Sequence, residues 1–173
     1  MTSGSNQDLL PGHSDIIIHH GFRYGDLGKV LILHGQLYHQ EYGFNHEFEI
    51  YVAEGLVEFA RKYRPGRSCL WIAEKRGKAI GSIAILEREN KQSQLRWFIV
   101  HPEYRGKKIG RFLCKKAIEF CYNAGYELIY LWTLDNLAAA RKTYEASGFQ
   151  LKEKKKNCLW GKNLVEEYYI LKL

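Results

Sequence analysis

Apolar positions in this chain recur with two periods, and the switches between them predict an order of elements. Residues 15–22, with Ile16, Ile17 and Ile18 in a row, read as a β-branched strand. In 27–38, Leu27, Val30, Leu31, Leu33, Leu37 and Tyr38 fall near helical steps, and Asp26 is placed to cap the start. Residues 39–45 read as a loop. Asn45 can then cap a second helix over 46–63, which carries Phe48, Tyr51, Val52, Leu56, Phe59 and Ala60 and stops at Pro65-Gly66. Two apolar runs, 68–75 and 79–87, flank Lys75-Arg76-Gly77-Lys78 and predict a hairpin. Residues 94–100 form a buried strand. The firmest helix follows from 109, with Ile109, Phe112, Leu113, Ala117, Phe120, Cys121 and Ala124 on one face and Gly125 past its end. Then come a strand over 127–134, a short alanine-rich helix over 137–147 stopped by Gly148, and a strand from 149 to 152. A charged loop over 153–162 and a closing strand over 164–173 complete the chain.

Composition narrows the class. The chain has 173 residues, 46% of them hydrophobic and 26% charged, which suits one globular domain, here placed at 15–173. Residues 1–14 are polar, hold Gly4, Pro11 and Gly12, and read as a loose tail without a signal-peptide core. No apolar run approaches the roughly eighteen residues of a membrane span. The cysteines show no Cys-x-x-Cys spacing, and Cys114 and Cys121 lie too far apart on one helix to bridge, so reduced thiols in a cytoplasmic protein are expected. The net charge of +7 raises nucleic acid as a partner. However, no nucleic-acid-binding signature is present, and Lys154-Lys155-Lys156 without interleaved aromatics reads as a solvated loop. His19-His20 and the remaining residues offer no zinc spacing, so no metal is expected.

The chemistry concentrates between the strand ending at Val100 and the helix beginning near Ile109. Arg105-Gly106-Lys107-Lys108-Ile109-Gly110 leads into a helix start, where unpaired backbone N–H groups and the positive end of the helix dipole favour an anion. Arg105, Lys107, Lys108 and Arg111 add full charges there. A phosphate or pyrophosphate is the expected ligand.

This loop resembles motif A of the Gcn5-related N-acetyltransferases (GNAT), with Arg105 in the first position, Gly110 in the last, and Lys108 where the family pattern has its middle glycine. The order β-α-α-β-β-β-α-β-α-β-β is similar to that family's, which implies an α/β (α+β) fold with a mixed central sheet of about seven strands and four helices. Ala140, Tyr144 and Gly148-Phe149 match its late segment, in which Asn136 stands one residue from the position of the family asparagine. Residues 37–44 with Leu131-Trp132-Thr133 are similar to acetyltransferase halves fused behind MarR-type repressors, although this chain carries no winged-helix half.

The resemblance implies acetyl-coenzyme A as cosubstrate. Its pantetheine arm would lie along Phe98, Ile99 and Val100. Its pyrophosphate would lie on Arg105, Gly106, Lys107, Lys108, Ile109, Gly110 and Arg111, with Asn136 and Tyr144 also in contact. Tyr144 would protonate the departing sulfur. For the base, Glu41 or a water chain is open, with Tyr42 and Glu47 beside the acceptor. Residues 30–60 contain no lysine or arginine but hold Glu41, Glu47, Glu49, Glu54 and Glu58. That segregation either draws in a cationic amine or marks a solvated helix face. The partner implied is a small-molecule or peptide amine, with neither nucleic acid nor membrane, and the chain would be a monomer or homodimer. A non-catalytic acyl-coenzyme A sensor is the alternative.

Overall fold

Strand β3 (Cys69–Lys75) holds Leu70, Trp71, Ile72 and Ala73 in an unbroken buried run, and a strand of that kind needs cover on both faces. The computed structural model, which describes residues 7–173, supplies that cover. Before β3 come β1 (Gln7–Leu10), β2 (His13–His20), α1 (Asp26–Tyr42) and α2 (His46–Lys62). After it follow β4 (Lys78–Glu87), β5 (Gln92–Val100), a 3-10 turn at Pro102–Tyr104 and α3 (Ile109–Asn123). The chain closes with β6 (Leu128–Leu134), α4 (Ala138–Ala146), β7 (Gln150–Leu159) and β8 (Lys162–Lys172). All strands join one sheet in the order β1-β2-β3-β4-β5-β6-β8-β7.

Alternation along the strands divides the core in two. Trp71, Ala73, Ile83, Ile85 and Ile129 meet Ile109, Leu113, Ala117 and Cys121 of α3 and Tyr144 of α4. On the opposite face, Leu70, Ile72, Ala84 and Leu86 meet Val30 of α1 and Phe48, Val52, Leu56 and Phe59 of α2. The fold and its four α-helices agree with the sequence reading, and among the described residues the sheet has eight strands. The added one, β1, corrects the part of the loose-tail expectation that falls on residues 7–14. Gln7, Asp8 and Leu9 pair antiparallel with His19, Ile18 and Ile17, Leu10 is buried, and Lys116 holds Asp8 at 2.9 Å. Residues 1–6 lie outside the described residues.

The charged loop expected over 153–162 is also corrected. It is mostly β7, whose Gln150–Lys156 segment is exposed on both faces while pairing with β8 along its length. An edge strand studded with lysines discourages pairing with other chains. Cys69, Cys114 and Cys121 are buried and free, and Cys158 is exposed and free. Among the described residues, no helix is long and apolar enough to cross a membrane, and no cluster of His, Cys, Asp and Glu could hold a metal ion.

A cleft opens at the centre of the sheet. Strands β5 and β6 run parallel and pair only from Gln92–Leu128 to Gln94–Tyr130. Beyond Gln94 they splay, because β5 carries a bulge where Trp97 takes a left-handed φ of 48° and the register against β4 shifts between Ser82 and Ala84. Such a bulge bends the strand and re-aims its side chains. Ser82 Oγ steadies it by donating to the Trp97 carbonyl at 2.7 Å.

Candidate active site

The cleft holds two cavities. The first, about 310 Å³, is walled by Phe98, Ile99 and Val100 of β5, by Arg105, Gly106, Lys108, Ile109, Gly110 and Arg111, and by Ala139, Ala140 and Thr143 of α4. The loop's backbone explains its chemistry. Gly106 (φ 80°) and Lys108 (φ 64°) are both left-handed, and Lys108 stands at the α3 N-cap without a side-chain cap. Successive left- and right-handed residues turn their N–H groups into one concavity, a nest for anions. The backbone N–H groups of 106–111 donate to nothing among the described residues, whereas Arg105 N is tied to the Pro102 carbonyl and Phe112 N to the Lys108 carbonyl. Six consecutive open amides with Lys108 and Arg111 beside them fit a pyrophosphate.

Arg105 has other work. Its Nη1 and Nη2 donate to the two carboxylate oxygens of Glu41 at 2.6 and 2.7 Å, and its Nε donates to the Val100 carbonyl at 3.0 Å. The bidentate pair ties the end of α1 to the loop. It also corrects the general-base expectation for Glu41. A carboxylate with both oxygens held by one guanidinium is poorly set to take a proton from an amine. Lys107 sits over the Tyr104 ring at 4.8 Å and does not line the cavity. Asn136 is exposed and lies outside both cavities, as does Glu47, whose backbone N–H is capped by Asn45 at 3.1 Å. Tyr42 lines the first cavity beside Glu41. The acidic run on 30–60 is partly consumed: Glu58 pairs with Lys62 and Arg88, and Glu41 with Arg105.

The second cavity is smaller, about 110 Å³. It is lined by His34, Phe48, Tyr51, Arg96, Trp132, Tyr144, Trp160 and Glu166, among others. Tyr38, Phe98, Leu137 and Ala140 belong to both cavities, so the two meet at a seam. Tyr144 is 4% exposed and its ring packs on Phe98 at 5.4 Å, placing it against that seam. Burial first, then the neighbouring Tyr38 and Cys114, holds the Tyr144 phenol well above its usual range, so it keeps its proton.

His34 and Tyr38 line the cleft, and neither was among the site residues expected from the sequence. With Glu41 and Tyr42 they lie one and two turns apart on one face of α1, their rings His34–Tyr38 stacked at 5.8 Å. The signal was present in their spacing, but it emerges only when the helix is allowed to run to Tyr42. His34 Nδ1 lies 2.9 Å from the Val30 carbonyl, and since a carbonyl only accepts, Nδ1 carries the hydrogen. Burial, at 3% exposure, pushes His34 down to about 4, with the Arg96 cation adding to the shift. The unfolded chain therefore binds a proton near pH 6.5 that the folded one refuses until about pH 4. Stability is expected to fall by about 3 kcal/mol as pH drops through that window. Urea midpoints at pH 7 and pH 4.5 check this, and His34→Gln is expected to flatten the slope.

Comparison with known proteins identifies the family. The family model described as Acetyltransferase (GNAT) family matches residues 27–149, well over half of the chain. Over 88 residues the chain is 38% identical to N-acetyltransferase family 8 member 3 of Rattus norvegicus, covering 48% of this chain and 39% of that protein. It is 35% identical over 88 residues to an N-acetylaspartate synthetase of Danio rerio, covering 50% and 31%. The chain thus spans well under half the length of these relatives. A putative acetyltransferase of Salmonella typhimurium, solved with its cofactor acetyl-CoA, superimposes with a TM-score of 0.72 at 14% identity, covering 92% of this chain and 94% of that one. The nest of open amides, the splayed strands and the match across both helical layers place the chain in one group: it belongs to the acetyltransferase (GNAT) family.

Proposed function

We propose that the chain is an acetyl-coenzyme A-dependent N-acetyltransferase that acetylates a primary amine by direct attack in a ternary complex. The observation that carries this reading is the seam at Tyr38, Phe98, Leu137 and Ala140, residues that line both an anion-binding cavity and an aromatic one. Bound acetyl-coenzyme A would supply an activated acetyl thioester. The open amides of 106–111, with Lys108 and Arg111, hold the pyrophosphate, and the splayed edge of β5 at Phe98–Val100 guides the arm toward the seam. The acceptor nitrogen forms the new C–N bond as the C–S bond breaks. Tyr144 gives its proton to sulfur, and the proton shed by nitrogen returns to the phenolate. A backbone N–H of the bulged strand serves the oxyanion. The acceptor is of small-molecule size, since the second cavity is narrow. The relative named N-acetylaspartate synthetase makes, by that name, an acetylated amino acid.

Titration of coenzyme A into the folded protein by calorimetry is expected to give saturable heat with a Kd in the micromolar range, about −8 kcal/mol. Thiol release from acetyl-coenzyme A with an amine panel is expected to exceed the amine-free rate. Binding without amine-dependent release would leave the chain a non-catalytic sensor. No heat at all would end the coenzyme reading.

A further inference from the structure

The second cavity contains a cation that the transfer chemistry does not use. Arg96 follows the point where β5 leaves β6, and its guanidinium lies between two rings, 5.2 Å from the centroid of Tyr51 and 5.0 Å from that of Trp97. It makes no ion pair and no side-chain hydrogen bond among the described residues, although it lines the cavity. Aromatic faces hold a cation in place without consuming its N–H donors. A third contact fixes the same position. Gly55, buried in α2, leaves the space the guanidinium fills, and a Cβ there would fall 2.9 Å from Nη1 and 3.1 Å from Nη2. Glycine inside a helix is less favourable than alanine, so the arginine sits in room that α2 leaves at a cost.

Glu166 of β8 lines the same cavity. One of its oxygens accepts from Asn157 Nδ2 at 2.8 Å. The cavity therefore presents one clamped guanidinium with unspent donors and one carboxylate, between aromatic walls of Tyr51, Trp132 and Trp160. A polyamine would meet Arg96 as a like charge. A phosphate ester would carry two charges toward one arginine and meet Glu166. A carboxylate matches the guanidinium fork, which takes it through two parallel hydrogen bonds.

We propose that Arg96 anchors a carboxylate on the acceptor, so that the substrate is a small amino acid whose amine reaches the seam at Phe98. This rests on the acetyltransferase reading and names the acceptor class of the same site. Arg96 is then a specificity-determining residue. It touches the substrate away from the reacting atoms.

The test pairs each common amino acid with its amide and its decarboxylated amine, and measures thiol release from acetyl-coenzyme A, with coenzyme A calorimetry run alongside. At least one amino acid is expected to exceed its own amide and amine tenfold or more in kcat/KM. Arg96→Gln is expected to raise that amino acid's KM tenfold or more while leaving the KM for acetyl-coenzyme A unchanged. Arg96→Lys is expected to recover part of the preference. The proposal is overturned if amides or simple amines serve as well as amino acids, or if R96Q slows charged and uncharged acceptors equally. It is also overturned if coenzyme binds yet no amino acid turns over. The wild-type preference decides the matter even if the variants fail to fold. Absence of coenzyme heat removes the acetyltransferase reading itself, and this proposal with it.

Discussion

Replacing Tyr144 by phenylalanine is expected to lower kcat by about a hundredfold, the lower end of what a positioned proton donor contributes, with the KM for acetyl-coenzyme A nearly unchanged. Among the described residues the hydroxyl has no hydrogen-bond partner, and the ring packs against Phe98 at 5.4 Å, Phe149 at 5.8 Å and Tyr169 at 6.3 Å. Phenylalanine keeps those contacts, so the fold and the first cavity survive while the hydroxyl is lost. Because the buried phenol stays protonated far into the alkaline range, the loss is expected to be uniform from pH 6 to pH 9 rather than confined to one limb. The experiment is a steady-state pH profile of both proteins with the same acceptor. If Tyr144→Phe stays within threefold of the parent, the proton reaches sulfur from elsewhere. Tyr38, which lines both cavities and is raised by its own burial, is then the group to replace.

The fold was legible where burial imposed a period. The face of α3 and the continuous apolar run of β3 are each dictated by what they bury, and Asn45 could be read as a cap because its partner is two residues away. The errors fall where the deciding contact is distant or absent. Helix α1 runs on through His39, Gln40 and Glu41 because Gly43, left-handed, donates its N–H to the His39 carbonyl at 2.9 Å, and because Glu41 finds Arg105 across the cleft. The glycine was visible, but the arginine lies 64 residues on. Strand β7 was legible only at its start, over 149–152; it has no buried face through Lys156, so no alternation marked its continuation.

The candidate site divides the same way. The open amides of the loop follow from local chemistry and could be named in advance, including at Lys108, whose side chain does not prevent the left-handed turn. Arg96 could not. Its meaning depends on Gly55, Tyr51 and Trp97 converging on it, and a bulge in β5 determines which way that part of the strand faces. A pocket lined from six elements leaves no motif.

Replacing Gly110 by valine is expected to weaken coenzyme A binding at least a hundredfold, about 3 kcal/mol, while the protein still folds. Gly110 is the second residue of α3 and lines the first cavity. A Cβ there would meet Phe98 Cζ at 3.2 Å and Val100 Cγ2 at 3.5 Å, closer to the Phe98 ring than ordinary packing allows. Alanine would need a small shift of that ring. Valine adds two methyl groups on a side chain with little freedom at χ1 in a helix, so they must enter the cavity or push Phe98 aside. Either outcome spoils the site. Filling the cavity blocks the arm's path between Phe98, Val100 and the nest, and moving Phe98 shifts the wall shared with the acceptor cavity. The fold is expected to lose about 1–3 kcal/mol from overpacking, because the strained contacts are with one ring edge and one methyl group at the rim of the core. Calorimetry with coenzyme A measures the first effect and urea unfolding the second. Retained affinity in a folded Gly110→Val protein would mean that the coenzyme does not lie along this wall.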